Sequence, residues 1–147
     1  MTLRTTIRFA SATLAGALAA AACTSSSRSP APPAFSTRDG VPILSIAADW
    51  DDADAAVLAS VEKIEAIVTR TNVRSETERE YLLRRTTGER GQLTLRRADP
   101  GNLGDLAPIT MTCTLGGAGD PAREQKLMAA VAARLEQLKG VDYAPVP

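Results

Sequence analysis

Two cysteines, four aspartates around a tryptophan, and a glycine-rich loop are the residues of this chain with the types and spacing to do chemistry. Asp49, Asp51, Asp52 and Asp54 gather the carboxylates that calcium favours. Their register is wrong for it, because Ala53 and Asp54 stand where a loop of the EF-hand type needs a ligand and then a glycine. The acids suit instead the positive end of a following helix, at about 0.3–1 kcal/mol each, and Trp50 beside them suits a cover over the core. No metal site is expected. Gly116-Gly117-Ala118-Gly119 could present free amides to a phosphate, but Asp120 fills the anion's place as a helix cap and the P-loop lysine and hydroxyl are missing. The glycines read as a turn needing positive φ. Cys113 alternates with Ile109, Met111 and Leu115 and so falls on the apolar face of a strand. The chain has no histidine to activate it, and burial raises a thiol pKa. Carboxylate pairs for hydrolysis are available in number, yet nothing singles one out. Neither a catalytic residue nor a cofactor is expected, and the chain does not read as an enzyme.

Cys23 is the other cysteine. Arg4 and Arg8, the apolar run from Phe9 to Leu18 and the small residues after it have the order of an export signal. A membrane span needs about 20 strongly apolar residues, and this run is shorter and rich in alanine. Ala20-Ala21-Ala22-Cys23 resembles a bacterial lipoprotein signal, in which the cysteine thiol takes a diacylglycerol and becomes the new amino terminus after cleavage. Such signals usually carry leucine three residues before the cysteine, where this chain has Ala20. The same alanines also satisfy the A-x-A pattern of ordinary cleavage, which releases a soluble protein. The Ser/Pro-rich run from Thr24 to Ser36 favours the lipid, since it has no apolar periodicity and reads as a tether reaching on the order of 40 Å. The expected organisation is a signal peptide over 1–22, a lipid-anchored tether over 23–37, a folded domain over 38–140 and a tail over 141–147. The expected location is a bacterial membrane, with the domain facing the periplasm or cell envelope.

About 110 foldable residues make one domain with a core large enough to need no disulfide or metal. Seventeen basic residues face 17 acidic ones, and loss of Arg4 and Arg8 with the signal tips the balance to acid. No nucleic-acid partner is expected from such a balance. Acylation of Cys23 leaves Cys113 unpaired, and Phe35, Trp50, Tyr81 and Tyr143 are too few aromatics for stacking platforms.

The elements that position these residues follow from periodicity. Val41 to Ala48 alternates as a strand. Val57, Val61, Ile64 and Val68, widened by Leu58 and Ile67, predict a helix from Asp52 to about Arg70. Polar "TNVRSETE" breaks it, and "REYLLRRTT", "GQLTLRRA" and "APITMTCTL" then read as three strands. Gly88-Glu89-Arg90-Gly91 and Asp99-Pro100-Gly101-Asn102 supply the turns between them. Asp120 as cap, Pro121 at the first position and the stripe Leu127, Met128, Val131, Leu135, Leu138 predict a closing helix that ends at Gly140. The order β-α-β-β-β-α predicts an α+β two-layer sandwich, an antiparallel sheet of about four strands with two helices on one face.

This order, with Gly116, Gly119 and Asp120 between the last strand and the closing helix, resembles a group of small bacterial lipoproteins classed as a domain of unknown function, over about residues 41 to 139. The resemblance implies the anchor and the fold, and it brings no activity.

With Tyr81, Leu83, Leu93 and Leu95 facing the helices, alternation turns Leu82, Arg84, Thr94, Arg96, Thr110, Thr112 and Thr114 to the other face. That face is poor in lysine and glutamate, which keep surfaces solvated. Arg84, Arg96 and Thr112 are therefore the expected contact residues for an envelope protein partner, against the plain alternative of a solvated sheet face. The chain reads as a membrane-anchored binding or structural module, with a small-ligand or lipid carrier using the gap between sheet and helices as the alternative.

Overall fold

Asp39 and Gly40 both take positive φ, 52° and 80°. This is the backbone of a two-residue type I′ hairpin turn, which Asp-Gly favours because its twist matches that of the flanking strands. The turn joins β1 (Phe35–Arg38) to β2 (Val41–Asp49). The computed structural model describes residues 33–98 and 106–140. Within them follow α1 (Ala53–Ser60), a 3-10 turn at Val61–Ile64, β3 (Ala66–Ser75), β4 (Glu78–Arg85), β5 (Arg90–Arg97), β6 (Leu106–Leu115) and α2 (Pro121–Leu138). The protein is α+β, an antiparallel sheet with two helices, and the sheet has six strands in the order β1-β2-β6-β5-β4-β3 rather than about four. The Asp99–Asn102 turn expected between β5 and β6 lies outside the described residues.

Both additional strands come from segments read otherwise in the sequence. β1 starts at Phe35, inside the stretch expected to be tether, and Phe35 packs half-buried against the core. β3 replaces the end of the expected first helix and most of its polar break. Helix gives way because Ile67, Val68, Thr69, Thr71 and Val73 are β-branched, with side chains that lose freedom against a helical turn and fit a pleated sheet. Glu65 makes the switch, taking the left-handed conformation (φ 56°) while its N–H donates to the Glu62 carbonyl at 3.0 Å. Val57, Val61 and Ile64 of the expected stripe are buried, whereas Leu58 and Ile67 are 56% and 61% exposed.

The core lies on one face of the sheet. Leu44, Tyr81, Leu83, Leu93, Leu95, Ile109, Met111, Cys113 and Leu115 point inward and meet Val57 of α1 and Leu127, Met128, Val131 and Leu135 of α2. Full burial of each large apolar side chain contributes about 1.5–3 kcal/mol. α2 starts as its sequence predicts, with the Asp120 carboxylate accepting from the Arg123 N–H at 3.2 Å and Pro121 in the first turn. Trp50 closes one end of this core at 4% exposure. Arg79 and Arg97 lie over its ring at 4.7 and 5.5 Å from the centroid. Arg79 also donates to the Trp50 carbonyl at 3.2 Å and pairs with Asp54 at 3.5 Å, and the Tyr81 hydroxyl donates to Asp54 at 2.5 Å. Burial and then the hydrogen bond to Asp54 push the Tyr81 pKa up.

Candidate functional site

Opposite the helices, the second face of the sheet is uncovered among the described residues. Strand alternation lays cross-strand rows over it: Arg96, Thr110 and Ser45 in one, Thr94, Thr112 and Ile43 in the next, Gln92 and Thr114 in the third. These rows, Ser45 excepted, floor an open groove of about 400 Å³, with Arg38 and Asp39 of the β1–β2 hairpin at its rim. The groove exists because the hairpin extends the sheet beyond β2. β-branched threonines keep few rotamers, so ordering them against a partner costs little entropy.

Of the three residues expected to contact a partner, Thr112 and Arg96 line this groove. Arg96 does so with its guanidinium forked on Glu78, Nε at 3.0 Å and the terminal nitrogen at 3.2 Å. Arg84 shares the face but not the groove. It stands on β4 between Ile67 and Arg90 in its cross-strand row, two strands from Thr112. Arg38 is the rim residue that sequence reasoning missed, and the Asp39-Gly40 dipeptide just before the apolar run from Val41 is the signal that finds it.

The other chemical candidates have structural roles. The Glu124 carboxylate, 3% exposed, accepts from the backbone N–H groups of Leu115 and Asp120 at 2.9 and 3.0 Å, so those two amides at either end of the glycine loop are already bound. In the acidic cluster the Asp51 N–H donates to Asp49 at 2.9 Å, and burial followed by the charges of Asp49 and Asp51 raises the Asp52 pKa. Asp54 turns away to Tyr81 and Arg79.

Cys113 lies on the inner face at 1% exposure. Burial first, and the nearby Glu124 charge second, push its pKa from an ordinary 9.0 up to about 12. Folded protein therefore holds the proton where the unfolded chain loses it, and this thiol's contribution to stability falls as pH rises from about 9 to about 12. A bulky maleimide is expected to leave Cys113 unmodified at neutral pH until denaturant unfolds the domain. Modification of the folded protein within minutes would place the thiol on the wrong face. Cys23 lies outside the described residues, and no helix among those described is long and apolar enough to cross a membrane.

No protein-family model matches the chain, and no curated protein matches it.

Proposed function

We propose that the protein is a lipid-anchored module of the bacterial cell envelope, held at the membrane through Cys23, that binds a protein partner in the groove of its uncovered sheet face. The observation that carries the binding role is the asymmetry of the sheet: one face is sealed by two helices, and the other presents a threonine floor with Arg96 and Arg38 beside it. Such a floor offers hydroxyls and methyls at low entropic cost, and arginine is favoured at protein contacts for its planar fork. Arg96 enters the contact already oriented by Glu78. The anchor rests on the small residues before Cys23 and the Ser/Pro-rich run after it, and membership of the lipoprotein group it resembles belongs to the same proposal. The space a carrier needs between sheet and helices is occupied by the fully buried Met111, Leu127 and Met128.

Crosslinking in intact cells tests the binding role. Replacing Arg96→Glu together with Thr112→Glu should remove a discrete crosslinked partner, since loss of a central contact costs about 2 kcal/mol, roughly thirtyfold in affinity. An unchanged set of crosslinked species, with circular dichroism showing the fold intact, would leave the face as an ordinary solvated sheet.

A further inference from the structure

The uncovered face carries its charge unevenly. Where arginines lie near glutamates they are paired: Arg96 with Glu78 at 3.0 Å and Arg74 with Glu80 at 2.5 Å. At the corner built by the start of β3, the end of β4 and the start of β5, the pattern changes. Ile67, Arg84 and Arg90 form one cross-strand row, and Arg70 faces Leu82 in the next. Arg84 and Arg90 are direct cross-strand neighbours, which puts their Cβ atoms about 4.5–5.5 Å apart and makes them repel. Arg70, Arg84 and Arg90 are all exposed and make no ion pair among the described residues. Glu89, the acid of the adjoining turn, is held by Arg85. Glu65, just before β3, lines a separate cleft with Lys63, Arg85, Arg123 and Lys126. Ile67 stands in the middle, 61% exposed.

We infer that the corner formed by Ile67, Arg70, Arg84 and Arg90 rests on an anionic lipid surface. Three unpaired guanidiniums around an exposed aliphatic side chain match a headgroup layer, which is negative outside and apolar just beneath. Arginine's fork pairs with phosphate through two hydrogen bonds. A spread of three guanidiniums over three adjacent strands, at about 4.8 Å per strand, suits a continuous charged plane better than a single acidic side chain. The groove with Thr112 lies on the same face toward β2 and β6 and shares only β5 with the corner, through Gln92, Thr94 and Arg96. The repelling pair then has its counterion in the membrane. The inference does not depend on Cys23 or on a partner, because the corner supplies its own attraction.

The experiment uses residues 33–147, which hold every core residue among those described and lack Cys23, with circular dichroism first establishing that the segment is folded. Sedimentation is measured with vesicles of phosphatidylcholine alone and with vesicles containing phosphatidylglycerol at one third. Each arginine near an anionic surface is worth about fivefold in partitioning, so the pair Arg84→Gln, Arg90→Gln should lower binding to the anionic vesicles roughly thirtyfold. Raising salt well above physiological strength should weaken wild-type binding in the same direction. Relief of the Arg84–Arg90 repulsion should leave the variant's thermal midpoint equal or higher, which separates lost binding from lost fold. Arg38→Gln with Arg96→Gln, at the far side of the face, should change binding by less than threefold. Equal binding to both vesicle types, no binding to either, or equal losses from the two variant pairs would overturn the inference. A failure here would leave crosslinking at the groove unaffected.

Discussion

Trp50→Ala is expected to cost about 3–5 kcal/mol, the range for truncating a buried large aromatic side chain. The chain turns from β2 into α1 at this residue, and its indole is 4% exposed. Removal empties the end of the core that Arg79 and Arg97 cover at 4.7 and 5.5 Å from the ring, and it forfeits cation–π contacts worth about 0.5–2 kcal/mol. Arg79 would then be held only by the carbonyl at position 50 and by Asp54, and the Tyr81–Asp54 hydrogen bond would lose its packed neighbour. Against a total of about 5–15 kcal/mol for a domain of this size, the loss lowers the thermal midpoint by on the order of 15–20 °C. Leu58→Ala provides the contrast. Leu58 is apolar and lies eight residues further on, in α1, but at 56% exposure it should change stability by less than about 0.5 kcal/mol. Urea unfolding followed by circular dichroism measures both, and comparable losses at the two positions would mean that the ring is not part of the core.

Alternation was the most legible feature of the sequence. Tyr81, Leu83, Leu93, Leu95, Ile109, Met111, Cys113 and Leu115 are all buried on the face assigned to them, because a sheet solvated on one side imposes a strict period of two. Asp120 and Pro121 marked the start of α2 for an equally local reason: a cap and a fixed φ act within one turn. β3 was hidden by coincidence. Val57, Val61, Ile64 and Val68 fit helical spacing, and Val68 is indeed half-buried, but from a strand reached through a left-handed Glu65. Glutamate gives no local sign of that conformation, and only the β-branched run beyond it argued for a strand. β1 was hidden by the serines and prolines before it, despite its Asp-Gly turn. The groove and the Arg84–Arg90 row were legible only in part, since both depend on registers that hairpin turns set and composition does not.

The second large effect concerns the proposed anchor. A single acyl chain holds a protein only reversibly, at an association constant of about 10⁴ M⁻¹, and two or more chains make the attachment firm. The proposed attachment through Cys23 would be hydrophobic and would therefore survive high salt, whereas any contribution from the arginine corner would be screened. Cys113 cannot substitute as the acceptor, being 1% exposed with its pKa pushed up to about 12. The whole of the lipid should thus depend on one sulfur atom. Radiolabelled palmitate fed to cells producing the wild type or Cys23→Ser is the direct measurement. The account predicts label in the wild-type band, which stays with membranes washed in high salt, and none in Cys23→Ser. An unlabelled wild type, or equal label in both proteins, would contradict it.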